Sequence, residues 1–211
     1  MAGLDFENER LIQDLIRSGG LKSKSVIEAF REVPRHLFVM KEHLRYAYIN
    51  EPLPIGNGQT ISQPYTVAVM LEALGAGKGD NVLEIGTGSG WSASLLSRIV
   101  GKSGKVTTLE VFPKLVDFAK KNIKKIGLKN IEVVLGDGKQ GFASRTPYDR
   151  VLINAACDRI PTKVDEQVKV GGRIVAPINS FFAQRMMVYD KISSKKFVQK
   201  DLGSFIFVPL L

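Results

Sequence analysis

The chain has 211 residues, 44% hydrophobic and 24% charged, with 30 Lys and Arg against 21 Asp and Glu and a net charge of +9. That length suits one domain with a substantial core, and no stretch approaches the roughly 20 apolar residues of a membrane span. The lone Cys157 excludes an intrachain disulfide, and one Cys with two His offers no close cluster for a structural metal.

The opening Met1–Glu7 is acidic and lacks a signal-peptide apolar run, so a reducing cytoplasm is the expected setting. The positive charge is scattered rather than clustered. Its densest run, Lys120-Lys121-Asn122-Ile123-Lys124-Lys125, falls on a predicted helix as a solvated face, so no nucleic-acid partner is expected. Leu11, Ile12, Leu15 and Ile16 recur at helical spacing, and Gly19-Gly20 ends that helix. Ser25-Val26-Ile27-Glu28 reads as a capping box opening a second helix, stopped by Val33-Pro34-Arg35-His36-Leu37-Phe38-Val39. From Tyr46 to Gln59, two prolines and two glycines predict a long irregular segment of the functional kind. Pro64 then suits the first turn of a helix with Ser62 or Gln63 as its cap. That helix carries Val67, Met70, Leu71 and Leu74 inward and ends at Gly75-Ala76-Gly77.

From residue 80 strands and helices alternate. Strands are predicted at Val82–Ile85, Val106–Leu109, Ile131–Leu135, Arg150–Ile153 and Arg173–Ala176. Helices are predicted at Trp91–Val100, Pro113–Ile126 and Thr162–Val168, the last ending at Gly171-Gly172. Two apolar strands, Arg185–Tyr189 and Ser204–Val208, form a closing hairpin with Lys195-Lys196 at its turn. Repeated β-α-β units imply a parallel sheet with right-handed crossovers.

The stretch Val82-Leu83-Glu84-Ile85-Gly86-Thr87-Gly88-Ser89-Gly90-Trp91 is a strand, a glycine turn and a helix start. Such a turn brings backbone close to a ligand, and the helix N-terminus offers it unpaired N–H groups. The dinucleotide fingerprint would need a third glycine at Trp91, which disfavours NAD or FAD. Glu110 ends the next strand, about twenty residues on, where an acid can accept both hydroxyls of a ribose; an exposed strand-end carboxylate is the alternative. Asp137-Gly138 ends the third strand, placed either to accept from an adenine amino group or as a plain Asp-Gly turn. His36 and His43 lie in the N-terminal region and read as surface or packing residues, and Cys157 as a small apolar filler. Trp91 either covers the methionine end of a cofactor or packs beneath the turn.

The form Glu-x-Gly-x-Gly-x-Gly resembles motif I of the class I S-adenosylmethionine methyltransferases. Gly58-Gln59-Thr60-Ile61-Ser62-Gln63-Pro64 with Met70-Leu71-Glu72 is similar to a segment peculiar to the protein-L-isoaspartate (D-aspartate) O-methyltransferases. The likeness extends through Glu51-Pro52-Leu53-Pro54-Ile55, Val134–Gly138, Pro147-Tyr148-Asp149, Gly171-Gly172-Arg173 and Phe207-Val208-Pro209-Leu210. It implies an α/β fold: a doubly wound, seven-stranded, mostly parallel Rossmann-like sheet with a C-terminal antiparallel hairpin and a small N-terminal helical layer. The expected organisation is one domain over 1–211, with 1–77 as the helical and substrate-loop region and 78–211 as the cofactor-binding core.

The same resemblance implies S-adenosylmethionine as cofactor, S-adenosylhomocysteine as product, and isoaspartyl proteins and peptides as substrates. A monomer is expected, and the composition and charge pattern above lead to the expectation of no nucleic-acid or membrane partner and no metal. By the resemblance Ser62 is the active-site hydroxyl, with capping of the following helix as its other role. Thr60, Ile61, Glu84, Gly86, Thr87, Gly88, Gly90, Glu110, Asp137 and Gly138 lie against the cofactor, and Asn154, Ala155 and Ala156 join Ser62 at the substrate. RNA methylation is the first rival, but Asn154-Ala155-Ala156-Cys157 lacks the Asn/Asp-Pro-Pro-Tyr of amine methylases. A non-catalytic cofactor-binding module is the second, and intact Ser62, Glu110 and Asp137 argue against it.

Overall fold

A computed structural model describes residues 2–211, so Met1 of the acidic opening lies outside it. Helix α1 (Ala2–Arg17) buries Leu11, Ile12 and Leu15. Helix α2 (Lys24–Glu32) starts before the expected capping box, and no side chain caps it from Ser23. Instead the Glu72 carboxylate accepts from the Lys22 and Ser23 N–H groups, both at 2.8 Å. A carboxylate from fifty residues away thus gathers the amides that lead into the helix, a partner that local spacing cannot reveal.

The segment expected to be irregular contains a hairpin, β1 (Leu53–Gly56) and β2 (Gln59–Ile61). Asn57 and Gly58 form its two-residue turn with φ of 54° and 69°. Positive φ at both positions is the twist that matches paired strands, and Asn-Gly is the strongest short-range sign of it. Pro54 is tolerated because this small sheet has only edges. Helix α3 (Pro64–Leu74) follows, with Val67, Met70, Leu71 and Leu74 all buried and Gly75 closing it in the left-handed region.

The main sheet alternates with helices: β3 (Asn81–Ile85), α4 (Trp91–Val100), β4 (Lys105–Glu110), α5 (Pro113–Lys125), β5 (Ile131–Leu135) and β6 (Tyr148–Ile153). Then come α6 (Thr162–Glu166), β7 (Val168–Asn179), β8 (Gln184–Ser193) and β9 (Lys196–Phe205). The seven strands lie in the order β5-β4-β3-β6-β7-β8-β9. The first five are parallel, and β8 and β9 are antiparallel. Two elements differ from expectation. Strand β7 runs through Gly171-Gly172 as an irregularity in the pairing instead of starting after them. The last strand is the polar Lys196–Phe205, not Ser204–Val208. As an edge strand it is held by its ladder to β8 and needs no buried face.

Successive sheet residues feed two cores. Val82, Val106, Leu152, Val175 and Val188 join the helices of the N-terminal layer in one. Leu83, Ile85, Val151, Ile153 and Ile174 form the other with Tyr148 and Val164. Burial on both faces explains why these strands read as apolar runs. No helix among the described residues is long and apolar enough to cross a membrane.

Candidate active site

Chain order in the sheet reverses between β3 and β6, and ligands bind beyond the strand ends at such a point. Gly86 leaves β3 there and Asn154 leaves β6, with the Asn154 N–H donating 2.8 Å to the Ile85 carbonyl. A cleft of about 810 Å³, open to solvent, lies over this junction. Its walls come from the β2 end, the glycine loop, the β4 end, the β6 end and the tail Val208–Leu211.

The expected residues fall into two sets. Thr60, Ile61, Ser62, Gly86, Thr87, Gly88, Glu110, Gly138, Asn154 and Ala155 line the cleft together. Glu84, Gly90, Asp137 and Ala156 do not. Glu84 is fully buried beneath the loop, accepting from Thr108 Oγ1 at 2.6 Å and Asn154 Nδ2 at 3.0 Å. Burial raises its pKa to about 7 against these hydrogen bonds. Gly90 packs toward Ile123 and Ala119 of α5. Asp137 accepts from the Lys139 N–H at 2.8 Å, capping its own short turn. Ala156 pairs with the tail: its N–H donates to the Val208 carbonyl, and the Leu210 N–H donates back to its carbonyl, both at 2.8 Å.

The floor is shaped for a close ligand. Gly88, which lines the cleft, has φ of 54°, and a Cβ there would touch Ile55. A Cβ on Gly138 would overlap Ile85 Cγ2, so only glycine lets the β5 end approach β3. The Glu110 carboxylate spans strand end and loop, accepting from Gly88 N–H at 2.9 Å, Val111 N–H at 3.0 Å and Phe112 N–H at 3.1 Å. These contacts fix its orientation, fill both acceptor sites of Oε1 and leave one on Oε2 for a ribose hydroxyl. A glycine floor, a wall carboxylate and apolar Val111, Phe112 and Leu109 beside it fit a nucleoside with a polar tail.

Ser62 enters from the opposite side, between β2 and α3. It does not cap the helix: Gln63 is the N-cap residue, and Asn50 Oδ1 accepts from the Tyr65 N–H at 2.9 Å. Among the described residues the Ser62 hydroxyl makes no hydrogen bond, and Ser62 lines the cleft. Trp91 borders the cleft, and its ring is anchored in the N-terminal layer, donating 3.1 Å to the Val33 carbonyl and packing against Phe30. His36 sits apart against Tyr48, held below its usual pKa by burial. Cys157 is buried, and burial pushes its thiol up to about 11, so it is no thiolate nucleophile.

Sequence reasoning missed one residue that organises this site. Arg35 is fully buried and donates to the carbonyls of Ala47 (2.8 Å), Ile49 (3.3 Å), Glu51 (2.8 Å) and Ser62 (3.2 Å). Its guanidinium lies 5.5 Å from the Trp91 ring centroid. Burial pushes its pKa down to about 9. The available signal was a charge set among the apolar Val33, Leu37 and Phe38. The tail was also read only as likeness, yet Val208, Pro209 and Leu210 form a wall.

Known proteins resemble this chain over nearly its whole length. The family model described as protein-L-isoaspartate(D-aspartate) O-methyltransferase matches residues 6–211. A protein-L-isoaspartate O-methyltransferase of Methanococcus maripaludis is 47% identical over 201 residues, 95% of this chain and 94% of its own. One from Pyrococcus horikoshii is 43% identical over 204 residues, 96% and 92% of the two chains. Among solved structures, a protein-L-isoaspartate O-methyltransferase superposes with a TM-score of 0.88 at 32% identity, over 96% of this chain and 65% of that longer one. A Plasmodium falciparum protein in complex with S-adenosyl-L-homocysteine shares the fold, at a TM-score of 0.86 and 22% identity over 97% and 98% of the chains.

Proposed function

The chain belongs to the protein-L-isoaspartate (D-aspartate) O-methyltransferase family, and on that premise we propose how its cleft performs the reaction. The enzyme methylates the free carboxylate of L-isoaspartyl residues in damaged proteins. The observation that carries this reading is that Ser62, with a free hydroxyl, and the glycine loop with Glu110 face one cleft. When bound, S-adenosylmethionine supplies an electrophilic sulfonium methyl group. Glu110 accepts from the ribose, Gly86, Thr87 and Gly88 carry the polar tail, and Gly138 with Val111 borders the base.

The isoaspartyl carboxylate is already ionised at neutral pH, so no residue need remove a proton. Ser62 donates to one carboxylate oxygen and turns the other toward the methyl carbon, while Asn154 and Ala155 border the peptide backbone. Anion and cation combine into neutral products, so walls of Ile61, Val67, Trp91 and Leu210 that exclude water favour the step. The methyl ester then closes to a succinimide with loss of methanol, and hydrolysis returns part of it as a normal aspartyl linkage.

The chain works in the cytoplasm as a monomeric single domain, with residues 1–77 serving substrate and 78–211 serving cofactor, and takes proteins rather than nucleic acid. Labelled S-adenosylmethionine with two peptides differing only in an isoaspartyl or aspartyl linkage tests the reading. Base-labile label in the isoaspartyl peptide alone supports it, and label in both or neither refutes it.

A further inference from the structure

The turn joining β7 to β8 carries Phe181 and Phe182, both fully exposed at 101% and 102%. Soluble proteins do not usually place two adjacent aromatic rings entirely in water. The turn is also tightly made: Ser180 N–H and Ser180 Oγ both donate 2.8 Å to the Ala183 carbonyl. It therefore presents the rings on a fixed support.

Its position is informative. The Asn179 N–H donates 2.9 Å to the Cys157 carbonyl, which places the turn beside the loop whose Ala155 lines the methyl-transfer cleft. Gln184, at the foot of the turn, brackets Phe207 with two hydrogen bonds and so brings the fully exposed Ile206 to the same edge. Between turn and cleft lies a second hollow, and Pro209 and Leu210 form a wall common to both. From Ala155 to Phe181 the path is at most about 19 Å, the reach of five or six residues of extended chain.

We propose that the Phe181–Phe182 turn is an apolar anchor for the substrate polypeptide, gripping a hydrophobic side chain five or six residues from the isoaspartyl residue. The inference rests on the substrate class proposed above. An isoaspartyl residue inside a protein reaches a cleft only from a locally unfolded segment, and such segments expose apolar side chains that are normally buried. A second copy of this chain is a poorer occupant. Two phenylalanines bury at most about 500 Å², short of the roughly 800 Å² per partner of a stable interface.

The test uses isoaspartyl peptides with one common core: a short one with two flanking residues on each side, and long ones with Leu or Ser five and six residues away on the amino or the carboxyl side. The wild-type enzyme is expected to favour Leu over Ser about tenfold in kcat/KM on one side, the scale of a single buried anchor. F181S/F182S is expected to lose that preference while keeping its kcat/KM on the short peptide and its Tm. An undiminished preference in the double variant, or no preference in the wild type, overturns the proposal. So does a variant that changes only the association state by sedimentation, which would make the turn a self-contact. Wild-type inactivity on the short peptide would instead sink the methyl-transfer reading, and this proposal with it.

Discussion

Arg35 Nη2 donates 3.2 Å to the carbonyl of Ser62, from a guanidinium that is completely buried and has no carboxylate partner among the described residues. Its charge is spread over carbonyls at Ala47, Ile49 and Glu51 as well, so one side chain ties the N-terminal layer to the loop that delivers the Ser62 hydroxyl. Its Nε alone lacks a partner among the described residues. The Trp91 ring beside it extends the link to the glycine loop.

Arg35→Met leaves several carbonyls without their donor, each costing roughly 1–3 kcal/mol where water cannot replace it. The expected outcome is a Tm lower by several degrees and a peptide KM raised more than the Kd for S-adenosylmethionine. Arg35→Lys should recover part of the KM effect. Parallel calorimetry and kinetics check both, and an unchanged ratio of the two constants would reduce Arg35 to a stability role.

Ser62→Ala should lower kcat about 10- to 100-fold through loss of carboxylate alignment. Because Asn50, not Ser62, satisfies the Tyr65 N–H, the melting temperature should stay within about 1 °C of wild type. A large Tm loss with normal kcat would show the opposite assignment.

Glu84 holds its proton to about pH 7 when folded, against an ordinary 4.5. Between those values the folded chain binds more protons than the unfolded one, so Glu84 makes stability fall as pH rises through that window. Above it, keeping the carboxylate ionised costs on the order of 3 kcal/mol. Glu84→Gln removes this dependence, since the Thr108 hydroxyl, which donates to Glu84, can turn to accept from the new amide and donate to Thr87 instead. Melting curves from pH 5 to 8 should be flatter for the variant and higher at pH 8.

Glu110→Ala removes the acceptor of three loop amides and one wall of the cleft. Cofactor affinity should weaken by about 2 kcal/mol or more, the cost of orphaned buried donors plus the lost ribose contact. Titration calorimetry with S-adenosylhomocysteine measures it directly.

Gly58→Ala is a clean backbone test, because no atom lies within 4 Å of the added Cβ while φ is 69°. The left-handed conformation alone should cost about 1 kcal/mol. Asn57→Gly, at φ 54°, should be nearly neutral. Thermal unfolding of the pair reads the difference.

The strands and helices from residue 80 to 153 were legible because periodicity and glycine chemistry act within a few residues, whereas the helix expected over Thr162–Val168 stops at Glu166 and β7 starts at Val168. Trp91–Val100 and Ile131–Leu135 have the expected bounds. The Asn57-Gly58 hairpin was also written in the chain, but the neighbouring prolines of Tyr46–Gln59 argued for a loop. Strand β9 was not legible, since its residues are mostly exposed and its ladder to β8 supplies the order.

The site divides along the same line. The glycine turn and the strand-end Glu110 are legible in the chain because they follow from local backbone chemistry, and the Thr60-Ile61-Ser62 segment from family likeness; all of them line one cleft. Folding in three dimensions is what puts Glu84 beneath the loop, makes Asp137 cap its own turn, and brings Glu72 and Asn50 to hydrogen-bond at helices they do not adjoin. It alone made Arg35 a junction and the tail a wall. The reason is physical: a buried polar group must find its partner wherever the fold brings one, and that partner is set by packing rather than by spacing along the chain.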